Sequence, residues 1–106
     1  MTGRSSRSKG QRGERELVKI IRDVLGLECR RGFQSRSGSE EADIEGFLPG
    51  YHLESKRAEK WALHEWIAQA EGDAKPGEVP IVVCRRSREK WYAVMAFTDF
   101  LELLKT

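Results

Sequence analysis

The sequence is poor in the residues that staple small domains together. Two cysteines, Cys29 and Cys84, stand among 106 residues. Two thiols make neither a disulfide framework nor a zinc ligand set. Each lies beside apolar or strand-like sequence, so buried free thiols in a reducing compartment are expected. The two histidines, His52 and His64, have no metal-ligand spacing to either cysteine, and no zinc site is read. No apolar run approaches the ~20 residues of a membrane span. The opening MTGRSSRSKG is polar and basic, with no apolar segment after it, which is not the pattern of a secretory signal. These absences predict a cytoplasmic protein with no membrane partner. No internal repeat is visible, and 106 residues leave room for one domain with one core.

Charge is plentiful but unevenly placed. The net charge of +2 hides ten Lys/Arg against four Asp/Glu in residues 1–36, a balance of +6, and nine against thirteen in residues 37–106, a balance of −4. A basic front attached to an acidic body fits a polyanion held by one face and worked on by carboxylates of another; a solvated, solubility-tuning tail is the alternative. Residues 1–10 hold almost nothing apolar and are expected to form a flexible basic arm ahead of a single domain over 11–106. Arg4, Arg7, Lys9 and Arg12 are the candidates there for contacts to phosphates, which give salt-dependent affinity without sequence readout.

Hydrophobic periodicity predicts the elements. Leu17, Ile20, Ile21, Val24 and Leu25 recur at helical spacing over 11–25, with Gly26 as a stop. By helical phase Glu14 aims toward the protein body and Glu16 toward water. Residues 27–34 read weakly as a strand, 36–41 as a loop, and 42–48 and 51–57 as two strands of a hairpin turning at Pro49-Gly50. A second helix is expected over 61–74, with Ala62, Leu63, Trp66, Ile67 and Ala70 facing inward and Lys75-Pro76-Gly77 ending it. Residues 79–84 (VPIVVC) suit a strand buried on both faces. A basic turn (RRSREK) leads to a strand over 91–97, and Thr98 is read as the cap of a final helix over 99–105. The order α-β-β-β-α-β-β-α predicts an α/β fold with one mixed central sheet flanked by helices.

One constellation carries chemistry. Glu54 and Lys56 lie two apart on a predicted strand, so their side chains leave the same face. Asp43 lies on the preceding strand, where an antiparallel register would bring it beside Glu54, and Glu14 reaches in from the first helix. Crowded carboxylates repel unless a cation sits among them. Oxygen ligands favour a hard ion, with Mg²⁺ as the natural candidate and Mn²⁺ as a substitute. Mg²⁺ on Asp43, Glu54 and Glu14, with Lys56 beside it, is a set suited to hydrolysing a phosphodiester. The E-x-K triplet alone is weak, because a chain this charged holds about one by chance, and a half-exposed strand with a surface ion pair is the alternative. The paired Asp, the buried-side Glu and the abundant upstream Arg strengthen it.

The blocks KGQRGEREL (9–17), RSGSEEAD (36–43) and HLESK (52–56) together resemble the archaeal-type Holliday junction resolvases and their phage relatives, within the PD-(D/E)xK, restriction-endonuclease-like nuclease superfamily. The resemblance implies that Glu14, the first Glu of E-R-E, Asp43, Glu54 and Lys56 are the active-site residues. It places Arg15, Arg36 and Ser39 near the scissile phosphate. It further implies a metal-dependent endonuclease acting on branched DNA, a four-way junction above all, as a C2 homodimer in a prokaryotic cell or a phage-infected host. Ala42 stands where the superfamily motif has Pro, and Ser55 where an apolar residue is usual. The alternatives are a related nuclease acting on forks, flaps or nonspecific duplex, and a non-catalytic DNA-binding module.

Other residues read more plainly. Trp61, Trp66 and Trp91 are expected in the core or a dimer interface rather than as stacking platforms. Arg85, Arg86, Arg88 and Lys90 form a second basic cluster, a solvated turn or a DNA contact. Gln69 is read as a packing residue of the second helix, with a contact to the site as the alternative.

Overall fold

The structure is a computed structural model and describes residues 2–32 and 44–105, with side chains from residue 10 onward. The elements follow the expected order: α1 (Thr2–Leu25), β1 (Arg30–Arg31), β2 (Ile44–Glu45), β3 (Tyr51–Arg57), α2 (Leu63–Asp73), β4 (Val79–Arg85), β5 (Tyr92–Val94) and α3 (Phe97–Leu104). The central sheet is mixed. β3 pairs with β4 in parallel, from Tyr51 opposite Val79 to Arg57 opposite Arg85, and β4 pairs with β5 antiparallel. β1 and β2 form a separate antiparallel ladder. A parallel pair needs a crossover, and α2 supplies it.

Two apolar clusters, one on each face of the sheet, hold these layers. Leu17 and Val18 of α1 pack with Leu53, Ile81, Cys29 and Ile44, and with half-buried Trp91. On the other face Ala70 of α2 packs with Val82 and Cys84, bordered by Trp61, Leu63, Trp66 and Ile67. Successive β4 side chains thus enter opposite clusters, which explains the uninterrupted apolar run of VPIVVC. All three tryptophans pack against these clusters, and both cysteines are buried free thiols. Burial in this apolar layer raises the Cys84 thiol pKa, with Arg86 opposing the shift.

Several expectations are corrected. α1 begins at Thr2 rather than Gln11, so the backbone of the stretch expected as an arm continues the helix. Nucleation is the costly step of helix formation, and with Leu17 and Val18 anchoring the helix, a segment without proline can extend it. The apolar stripe of α1 is buried only in part: Val24 and Leu25 stay exposed beyond the sheet. Gly26 ends the helix as expected, its N–H bonding Arg22 O at 2.9 Å. The hairpin between β2 and β3 does not form among the described residues; β2 pairs with β1 instead, Ile44 opposite Arg31. Gly46, at φ +85°, turns the chain against the segment leading into β1 so closely that a Cβ there would lie 2.9 Å from Glu28 O. Thr98 does not cap α3; the helix starts after Ala96 with no side-chain cap.

The Gly46 geometry predicts a ranking. Gly46→Ala adds a backbone clash to a left-handed φ, whereas Gly50→Ala, at φ +89° with open space around it, adds only the φ strain. We expect Gly50→Ala to destabilise the fold by about 1 kcal/mol and Gly46→Ala by more than ~2 kcal/mol, read by urea unfolding.

Candidate active site

Alternation along β3 divides its side chains between the two helices. Leu53 faces α1 in the first cluster, and Arg57 lies against Gly13 of the same helix. His52, Glu54 and Lys56 leave the opposite face, toward α2, which presents Gln69 and Asp73 one helical turn apart. Glu54 is 3% exposed and His52 is 2% exposed. A carboxylate this deep is tolerated only if its oxygens are satisfied, and both are: His52 Nε2 lies 2.9 Å from Oε1, and Gln69 Nε2 donates to Oε2 at 3.2 Å. Lys56 Nζ in turn donates to Gln69 Oε1 at 2.9 Å. Gln69 therefore bridges the E-x-K pair, fixing the amine relative to the carboxylate. The reading of Gln69 as a packing residue gives way to a contact within the site.

His52 lies within this hydrogen-bonded chain. Its pKa is raised, first by the hydrogen bond to Glu54, against the opposing effect of burial, with the charges of Glu54, Glu78 and Asp73 adding to the rise. Glu78 Oε1 stands 3.9 Å from the other ring nitrogen, Nδ1. The ring thus lies between acidic groups, Glu54 at Nε2 and Glu78 beside Nδ1.

The donor set fits a divalent cation. Ligand atoms of His52, Glu54 and Asp73 lie within 4.8 Å of one another. Neighbouring ligands of an octahedral centre with ~2.1 Å bonds stand about 3.0 Å apart, so the three side chains would have to draw together around an ion. Two carboxylates with one imidazole are donors of the kind that hold a divalent metal ion.

The other expected site residues fall elsewhere. Glu14 is buried on the α1 side and accepts from Arg31 Nε at 2.9 Å; the acidic cluster beside Glu54 contains Asp73 rather than Glu14. Glu16 does not face water as expected. It stands 3.9 Å from Arg57 Nε and 3.7 Å from Arg85 Nη1, because α1 lies over the ends of β3 and β4. Arg12 and Arg15 are exposed on α1. Arg4, Arg7 and Lys9 lie on the same helix, their side chains outside those described. Asp43, Arg36 and Ser39 lie outside the described residues. Sequence reasoning missed His52 and Asp73. His52 was legible, being two residues before Glu54 on one strand, and Asp73 was legible as the residue four after Gln69 on one helix.

A mixed sheet built on a parallel pair, a long helix on one face, and an E-x-K pair projecting toward the crossover helix define an α/β, restriction-endonuclease-like domain of the PD-(D/E)xK nuclease superfamily. Residues 5–106 match the family described as "Phage putative PDDEXK endonuclease", and the chain belongs to that family. No curated protein matches the chain. Among the described residues, no helix is long and apolar enough to cross a membrane.

The raised His52 pKa predicts a pH dependence of stability in chelator. A raised histidine stabilises the fold fully below its unfolded value, ordinarily 6.5, and that contribution is lost as pH rises through the folded value. Unfolding free energy measured by urea titration should therefore fall with pH above about 6.5, and the fall should flatten in Glu54→Gln, which removes the main cause of the shift.

Proposed function

We propose that the protein is a divalent-metal-dependent endonuclease that hydrolyses phosphodiester bonds in DNA, and that its preferred substrate is a four-way junction or a closely related branched DNA. The observation that carries the reading is the Glu54–Gln69–Lys56 chain of hydrogen bonds on one face of β3, beside the His52–Asp73 donor set. It occurs in a chain of an endonuclease family.

Glu54 and Asp43 would hold the ion, Mg²⁺ by preference and Mn²⁺ as a substitute, with Asp73 and His52 at its edge and Glu14 assisting from α1. Held there, such an ion would supply Lewis-acid chemistry toward a phosphodiester and make water more acidic. Lys56 directs its ammonium toward the attacking water and the anionic transition state, where a fixed charge acts most strongly in a site shielded from solvent. Gln69 keeps Lys56 and Glu54 in register. Arg15, Arg36 and Ser39 hold the scissile phosphate, and Arg4, Arg7, Lys9 and Arg12 along the front of α1 contact the flanking backbone. The junction preference rests on the resemblance carried by residues 9–17, 36–43 and 52–56. Symmetric cutting of two strands requires two sites, hence a C2 homodimer. The protein would act in the cytoplasm of a prokaryotic cell or a phage-infected host.

The test is cleavage of labelled DNA by the purified chain, with Mg²⁺ and with chelator, across a four-way junction, a fork, a flap, linear duplex and single strand. Paired symmetric nicks in the junction alone are expected. Cleavage spread over the panel would replace the junction preference with a broader nuclease activity; metal-independent binding with no cleavage would leave a DNA-binding module. Lys56→Ala is expected to reduce the cleavage rate by roughly 10²–10³-fold, and Gln69→Ala by roughly 10–100-fold, the usual effect of removing a group that orients a ligand. Circular dichroism melting checks that both remain folded.

A further inference from the structure

α1 and β1 enclose an open groove lined by five cationic side chains: Arg15, Lys19, Arg22, Arg30 and Arg31. The helix contributes positions 15, 19 and 22, which fall on one face, so three cations stand in a row and repel one another. Arg15 and Arg22, seven residues apart, are separated by about 10 Å along the helix. The carboxylates on this surface do not neutralise it. Lys19 pairs with Asp23 at 2.9 Å and Arg30 with Glu45 at 3.1 Å, but both cations are about three-quarters exposed, and pairs this open are weak and readily exchanged for another anion. Arg15 and Arg22 have no partner among the described residues. Arg31 differs: its side chain is two-thirds buried and bonds Glu14. Its charge is therefore engaged inside the protein and is not counted among the groove's outward cations.

The second basic cluster makes a useful contrast. Arg85 meets Glu16 and stacks on Trp91, and Arg86 bonds Glu59 O and stacks on Trp61 at 4.6 Å. Those two arginines brace the β4–β5 turn, whereas the groove cations present their charge outward.

We propose that the α1–β1 groove is a track for the phosphate backbone of a DNA duplex arm, with Lys19, Arg22 and Arg30 as contacts additional to Arg15. The proposal rests on the nuclease reading above. Contacts of this kind release counterions, so log K falls with log[salt] at a slope close to one per phosphate contact. The track sets affinity and arm direction without reading sequence.

The test measures binding of a fluorescein-labelled linear duplex to the full chain in chelator, by anisotropy over a salt series. Lys19→Gln with Arg22→Gln is expected to lower the salt slope by about 2 and Arg22→Gln alone by about 1, with Arg22→Lys restoring it. The control Lys90→Gln, on the opposite basic turn, is expected to leave the slope unchanged. Equal slopes for wild type and the groove variants, or an equal loss in the control, overturn the track while leaving nuclease activity intact. If the wild type neither binds duplex in a salt-dependent manner nor cleaves DNA with Mg²⁺, the nuclease reading fails and the track falls with it. Should the double variant melt early, Arg22→Gln decides the matter alone.

Discussion

The parallel ladder between β3 and β4 is the constraint on which the rest of the molecule depends. A parallel pair cannot be joined by a tight turn, so the chain must cross over a face of the sheet, and the crossover is α2. That passage places Gln69 and Asp73 above the even-numbered side chains of β3. The odd-numbered face is left for α1, which covers Leu53 and Ile81 with Leu17 and Val18. Site and core are therefore two faces of one strand, and a shift of β3 by a single residue would exchange them.

Within that frame the electrostatics are organised around a buried carboxylate. Glu54 would be costly in an apolar layer, yet His52 on one oxygen and Gln69 on the other compensate its lost hydration. The same bonds fix its direction. In the proposed reaction, reorganisation would be correspondingly small, because Lys56 is already tied to the carboxylate through Gln69. Glu78 holds His52 from behind and is itself anchored by the Lys75 N–H at 2.8 Å, so the polar network runs back to the turn before β4. In the proposed function the interior of the site and the open basic groove would divide the work. Buried groups, little screened by salt, would set the geometry of the chemistry; exposed cations, strongly screened, would hold the substrate.

Much of this was legible in the sequence where the signal is local. The bounds of β3, the two-faced burial of β4, the inward face of α2 and the element order all follow from periodicity and turn residues, and the pairing of Glu54 with Lys56 follows from strand alternation. Pairing partners were not legible. Alternation in residues 42–48 says which side chains share a face, not which strand lies alongside, and Gly46 turns the chain toward β1 instead of β3. The sense of Glu16 was missed because helical phase was measured from an apolar stripe whose last turn the sheet does not cover. His52 was weighed only against the cysteines as a zinc ligand, although its neighbour two residues on was the decisive partner. The helical course of residues 2–10 was hidden by a composition of Ser, Gly and Arg, whose low propensity counts for less once a helix is anchored further on.

In the proposed function Glu54, oriented by His52 and Gln69, is the carboxylate that receives the divalent ion. Anomalous diffraction from crystals of the wild-type chain grown with Mn²⁺ would locate that ion. An anomalous peak is expected within bonding distance, about 2.1 Å, of a Glu54 oxygen and on the Asp73 side of β3, and it should be lost in Glu54→Gln crystals that retain the fold. A well-ordered Glu54 still bonded to His52 and Gln69, with Mn²⁺ bound elsewhere or not at all, would exclude that role.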